Sequence, residues 1–290
     1  MLPVHEAAES RLVGSARTIG LMRRHRVVIR VLVSALAYCC LPGVQVQADE
    51  ETPEEKGLRI ALEASARNDG FGDFTAGLTM VLQDRHGRES VRQMRFKVLE
   101  VTADGDKSLF VFDQPRDVQG TALLTHSHIN TLDDQWLYLP ALKRVKRISA
   151  SKRSGSFMGS EFSYEDMSPP EVEEYNYRFL HDEPCGELDC TVTEQLPLDE
   201  KSGYSKKLLW QDTGELRTWK MELYDRKGSH LKTLTFENYQ QYLDRYWRAG
   251  RQTMVNHLTG AKTVLHWTDF QFRTNLDDSE FTQTALRRVR

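Results

Sequence analysis

The sequence predicts a mainly β protein: one curled, all-antiparallel sheet with one or two helices packed against it. Three observations carry this. After "NDGFG" (68–72), apolar and polar residues alternate with period two through run after run, as in strands with one buried face. The turns "DRHGRE", "QDTGE", "DRKGS" and "LTGAK" carry the Gly and Asp chemistry of tight antiparallel connections. A clear helical period precedes the first strand, and no repeat of 20–50 residues or low-complexity linker interrupts the pattern.

The first 48 residues read as an export signal rather than as part of the fold. "MRRHR" (Met22–Arg26) is its basic region and "VVIRVLVSALAYCCL" its apolar one, too short for a comfortable membrane helix of about 20 residues. "VQA" (Val46–Ala48) supplies the small residues of a cleavage site, and Met22 is an alternative start. A lipidated Cys39 or Cys40 competes with this reading, but Tyr38 is bulky where a small residue is wanted. The expected mature domain, 49–290, has 242 residues with 33 of the 39 Lys and Arg and 40 of the 42 Asp and Glu, a net charge of −7. That balance disfavours general nucleic-acid binding.

Within the domain, Thr52 as N-cap, Pro53 and Glu55 predict a helix over Pro53–Arg67, with Leu58, Ala61, Leu62 and Ala66 as its apolar stripe. We expect it on the concave side of the sheet. The strands follow: "FTAGLTMVL", "VRQMRFKVLEV", "KSLFVFDQP", "GTALLTHSHI", "DQWLYLP" and "RVKRIS", then a second series from "YNYRFLHDE" to "KTVLHWTDFQFR". They number eleven to thirteen, and "DDSEF" opens a final short helix. Of the four cysteines only Cys185 and Cys190 lie in the domain. In an exported chain they predict a disulfide, rather than half of a zinc site lacking its second ligand pair.

The segment from Trp136 to Met167 is the least generic. Trp136 and Tyr138 share one strand face and Leu137 and Leu139 the other, so this strand should be buried twice. Lys143, Arg144, Lys146, Arg147, Lys152 and Arg153 put six positive charges within eleven residues of an acidic protein. They are either a solvated hairpin or a docking surface for anionic lipid or an acidic partner. In "SGSFMGSEFSYEDM", Gly155 and Gly159 flank Phe157 and Met158, which predicts a loop presenting two large apolar side chains beside the basic residues. Ser163 and Asp166 resemble a capping box for a short helix at Tyr164–Met167.

"WLYLPALKRVKRI" followed by "GSFMGSEFSYEDM" resembles the LolA-like family of exported proteins, the outer membrane lipoprotein-sorting proteins, and the rest of the domain agrees with it in pattern. The resemblance implies a half-open β-barrel of about eleven strands, with helices lidding an apolar cavity that shelters acyl chains in the periplasm. It also implies a possible RND-type (MMPL-like) membrane exporter as partner and a transient contact with the membrane surface. The basic segment and the "FMGSEFSYEDM" signature depart from the founding carriers, which leaves the cargo open. The expected function is therefore a carrier of a lipid or lipoprotein acyl chain between membranes. The alternatives are an exporter subunit without cargo of its own and a lipid hydrolase.

We expect cavity-lining residues among Phe96, Phe110, Phe112, Trp136, Tyr138, Trp219, Met221 and Phe236. No cofactor, metal or catalytic group is expected: the G-x-S-x-G, G-x-G-x-x-G, P-loop and H-E-x-x-H patterns are missing. His126 and His128 share a strand face but lack a third ligand, and Asp133 and Asp134 look like turn residues. Glu161, Glu165 and Asp166 have no nucleophile or base beside them in sequence.

Overall fold

The computed structural model describes residues 50–102 and 104–289; the export signal, its cleavage site and Cys39 and Cys40 lie outside them. Helix α1 (Pro53–Asn68) starts at the expected capping box, with Thr52 Oγ1 accepting from the Glu55 amide and Glu55 accepting from Thr52. The sheet begins with β1 (Asp73–Gln83), β2 (Glu89–Leu99), β3 (Lys107–Gln114), β4 (Ala122–His126), β5 (Asp134–Leu139) and β6 (Arg144–Ile148). It continues with β7 (Tyr175–Cys185), β8 (Leu188–Pro197), β9 (Tyr204–Asp212), β10 (Thr218–Asp225), β11 (His230–Tyr242), β12 (Tyr246–Asn256) and β13 (Lys262–Phe272). A 3-10 turn, Asp278–Phe281, and α2 (Gln283–Leu286) follow. The 13 strands exceed the eleven that the resemblance implied.

All neighbours are antiparallel, in the order β6-β5-β4-β3-β2-β1-β13-β12-β11-β10-β9-β8-β7. The chain therefore meanders outward from the centre to one edge, β6, jumps to the opposite edge, β7, and meanders back until β13 pairs with β1. The sheet curls but does not close, and residues 149–174 make the jump. The β7–β8 hairpin is closed by the Cys185–Cys190 disulfide, with its Cα atoms 5.6 Å apart.

The inner face carries one continuous cluster that includes Leu78, Met80, Met94, Phe112, Leu223 and Met254. Across β3–β5 the outer face is apolar as well. There Leu109, Val111, Leu124 and Tyr138 pack under Phe281 and Leu286. Lys97 pairs with Glu280 at 2.6 Å and Lys107 with Asp278, which fastens this C-terminal cover. The expectation that the β5 strand is buried on both faces holds.

The stripe foreseen on α1 does not. Leu58 and Leu62 are 43% and 49% exposed, whereas Gly57 and Ile60 are buried. A Cβ on Gly57 would meet the Arg178 backbone at 2.7–2.8 Å, so only glycine lets the helix approach β7 this closely. That approach turns the leucines outward. Register places Phe179 in line with Thr193, Leu209 and Met221 on the inner face, and Lys56 Nζ sits 3.2 Å from the Phe179 ring centre. The helix thus covers the inner side of this edge.

Candidate functional site

The connection between the two edges crosses the inner face as a strap. It touches β2, then β12 and β13, then β5 and β9, which is possible only because the sheet curls around it. Arg92 donates to the Met158 carbonyl at 2.5 Å, Gln135 to the Tyr164 carbonyl at 2.8 Å and Tyr204 to Asp166 at 2.8 Å. The Glu161 amide donates to Thr263 Oγ1 at 3.0 Å, and Asn256 donates to the Glu161 carboxylate at 2.6 Å.

Polar groups anchor the strap at both ends. At its start Arg153 reaches Asp133 at 2.8 Å, and both side chains are almost wholly buried. Burial pushes the Asp133 carboxyl up while Arg153 pulls it down. At its end Asp166 accepts from the Ser163 amide, the Ser163 hydroxyl and Tyr204, and lies 4.0 Å from Lys232. The Ser163–Asp166 box closes a 3-10 turn, Glu165–Met167, rather than an α-helix. Beyond it, burial and the nearby carboxylates of Asp106, Glu174 and Asp133 raise Glu171 to about 7. Asp106 is raised to about 6, chiefly by burial.

Between the anchors the strap folds into an apolar tip. The Ser160 amide donates to the Phe157 carbonyl at 2.9 Å across Met158 and Gly159, whose φ values of 50° and 78° are those of a tight primed turn. Gly159 suits that geometry and Met158 tolerates it. The tip's direction is opposite to the sequence expectation. Phe157 is fully buried among Phe110, Phe112 and Tyr164, with ring centres 5.6–6.2 Å away, and Met158 is half-buried. Phe157 and Met158 therefore fill the sheet's interior instead of presenting a docking loop. The curl of the sheet, invisible in the sequence, gives them somewhere to go.

The basic residues separate as well. Lys143, Arg144, Lys146, Arg147 and Lys152 stand exposed along the β6 edge, with Arg147 paired to Asp134, whereas Arg153 belongs to the buried anchor. Asp133 is likewise an anchor and not a turn residue. Charges on an unpaired edge strand also discourage edge-to-edge association.

Of the eight aromatic and Met residues picked out in the sequence, Phe96, Phe110, Phe112, Met221 and Phe236 lie in or against the inner cluster. Trp136 and Tyr138 do not: they pack outward beneath the C-terminal cover, and Leu137 takes the inner side of β5. Trp219 also packs outward, beside Trp210. The register with β9 skips Trp219 between Thr218 and Lys220, and this bulge breaks the alternation that would have set Trp219 beside Met221. His126 meets the Phe281 carbonyl at 2.8 Å, and His128 meets Asp104 at 2.6 Å.

The strap meets β12 and β13 at Asn256 and Thr263, and none of its residues lines the inner face farther along β11–β13, around Gln240, Arg248 and Trp267. A cavity of about 360 Å³ opens there, lined by Asn238, Gln240, Tyr242, Arg248, Trp267 and Asp269 among others. A smaller apolar recess of about 120 Å³, bounded by Phe74, Phe96 and Phe270, shares Arg248 and Trp267 with it. Burial lowers Arg248 to about 10, so it stays charged at neutral pH. Sequence reasoning missed this residue. The available signal was the inward series Tyr246, Arg248, Gly250, which sets a cation on a face otherwise aromatic or bare.

The comparisons agree with this geometry. A family profile described only as "uncharacterized protein" matches residues 104–288. A crystal structure described as an outer membrane lipoprotein-sorting protein domain from Vibrio parahaemolyticus is 54% identical. It covers 81% of this chain and 99% of its own, with a TM-score of 0.79. A DUF1329 family protein from Desulfovibrio piger is 28% identical over 81% of this chain and 99% of its own, with a TM-score of 0.77. A LolA superfamily protein from Nitrosomonas europaea, 23% identical over 79% of this chain and 98% of its own, shares the fold at a TM-score of 0.64. No curated protein matches the chain.

Proposed function

Given that the chain belongs to the family of outer membrane lipoprotein-sorting proteins and shares its fold with a LolA superfamily protein, we propose that it is a periplasmic carrier. In this reading it holds the acyl chain of a lipid or lipoprotein against the inner face of the sheet. One observation carries the proposal: away from the β7 edge, where α1 lies, the continuous apolar face is covered by an irregular strap with an aromatic tip. Such a cover can leave while the sheet stays folded.

Magnitudes favour the exchange. Exposing Phe157 and Phe162 costs about 3–6 kcal/mol, and each buried methylene returns about 0.8 kcal/mol. Roughly four to eight methylenes offset the loss, so a longer acyl chain displaces the tip without any specific polar contact. The polar anchors at Arg153 and Asp166 would remain in place as hinges. Membrane contact falls to the five exposed basic residues of the β6 edge. An RND-type exporter is the partner class that the family resemblance suggests.

Organic extraction of the purified protein followed by mass spectrometry tests the cargo, and displacement of a fluorescent fatty acid tests the face. The proposal expects affinity to rise with chain length beyond about eight carbons. Length-independent binding, or turnover of a lipid ester, argues against a carrier.

A further inference from the structure

The cavity at the uncovered end holds a cation with no carboxylate in ion-pair contact among the described residues; Asp106 acts on it only from a distance. Arg248 Nη1 donates to Asn68 Oδ1 at 2.8 Å and to the Trp247 carbonyl at 2.9 Å. Among the described residues no carboxylate pairs with Arg248, and no hydrogen bond takes up its Nε or Nη2. The guanidinium carbon lies 5.2–5.9 Å from the ring centres of Phe71, Phe74, Tyr246 and Phe272, which fix the plane of the group and keep water from much of it. Holding a charge in such surroundings with no anion in contact is costly, and the remaining N–H groups of an arginine fork match an oxyanion in geometry and charge.

We infer that this cavity binds an oxyanion, a phosphate or carboxylate, at the head of a single-chain amphiphile. The inference rests on the carrier reading for the tail alone. Volume supports the division, since about 360 Å³ is near the lower end of the range for ligand pockets, about 300–1,000 Å³, and suits a headgroup better than a whole lipid. The smaller recess leads inward from Arg248 and Trp267 to Phe96. Phe96 stacks on Phe110 at 4.1 Å, and Phe110 lies 6.2 Å from Phe157. An apolar path thus runs from the anion site to the strap tip. Asp269, exposed at the rim, is the one carboxylate of the cavity wall and opposes the anion.

The test compares dodecyl phosphate, dodecanol and inorganic phosphate by calorimetry, with Trp267 fluorescence as a second readout. Wild-type protein is expected to prefer dodecyl phosphate over dodecanol by about tenfold or more. Arg248→Gln should erase that ratio. Because Arg248 also braces α1 through Asn68, two exposed positions carry the test independently of folding. Gln240→Glu, which keeps the acceptor for Tyr242, should shrink the ratio, and Asp269→Asn should widen it. A ratio near one, or one indifferent to all three changes, overturns the inference while leaving the carrier reading intact. If neither amphiphile binds but inorganic phosphate binds wild type and not Arg248→Gln, the anion site stands and the carrier reading falls. Loss of all three ligands sinks both.

Discussion

The two ends of the inner face are built from the same kind of strand and finished differently. Near β2, β3 and β5 the interior is filled by the chain's own Phe157, Phe162 and Met167, all buried. Near β11, β12 and β13 it is left as a cavity with a charged wall. The filled end is apolar and covered by an irregular segment. The open end is more polar and lined by strand residues. A protein needing only a stable core would finish both ends alike; the contrast suits a ligand that enters head-last and pushes the strap aside with its tail.

The largest expected effect comes from locking the strap. The Glu161 amide donates to Thr263 Oγ1 at 3.0 Å, so the tip and β13 adjoin here and a cross-link between these positions would hold the tip in place. The oxidised double variant Glu161→Cys, Thr263→Cys should lose acyl-chain binding almost completely and recover it on reduction. Wild type under the same reductant controls for Cys185–Cys190. Phe157→Ala separates core from lid. A core phenylalanine replaced by alanine costs about 3–5 kcal/mol, so the thermal melt should fall. A lid role adds that acyl-chain affinity rises, because less must be displaced; unchanged or weaker affinity would make Phe157 ordinary core.

A smaller effect concerns pH. Glu171, near 7, is raised by burial and by Asp106, Glu174 and Asp133, and Asp106, near 6, by burial and by Glu100 and Asp69, from ordinary values of 4.5 and 3.8. The folded chain therefore binds more protons than the unfolded chain between about pH 4 and 7, and stability falls as pH rises through that window. Glu171→Gln should flatten this part of the melting profile, and an unchanged slope would remove Glu171 as its source. Smallest is the basic edge. Reversing Lys143, Arg144, Lys146 and Lys152 to Glu should abolish salt-sensitive association with anionic vesicles. The melt should move little, because exposed charges and ion pairs contribute about 0–1 kcal/mol each.

Strand alternation and turn chemistry made the sheet legible, and the Thr52–Glu55 box made α1 legible, because both are local. The strap was not. That "SFMGSEF" turns inward depends on β6 and β7 lying at opposite edges of one curled sheet, a fact of topology that no window of sequence contains. The face of Trp219 was lost to one bulge. That of Trp136 and Tyr138 was lost because β5 is apolar on both sides, so the pattern could not say which side the C-terminal segment covers. Arg248 was passed over for a related reason: its aromatic surroundings come from three separate stretches of chain.

Hydrogen exchange across the strap tests the central claim most directly. The Glu161 amide donates to Thr263 Oγ1 at 3.0 Å, a bond from the tip to β13 that is lost when the tip leaves the sheet, whereas the Phe157–Phe162 and Tyr164–Gly155 bonds lie within the tip itself. Saturation with a long-chain amphiphile should speed exchange at the Glu161 amide while β1, β12 and β13 stay protected. Binding that leaves the tip as protected as before would mean that the ligand sits elsewhere, and the displaceable strap would have to be abandoned.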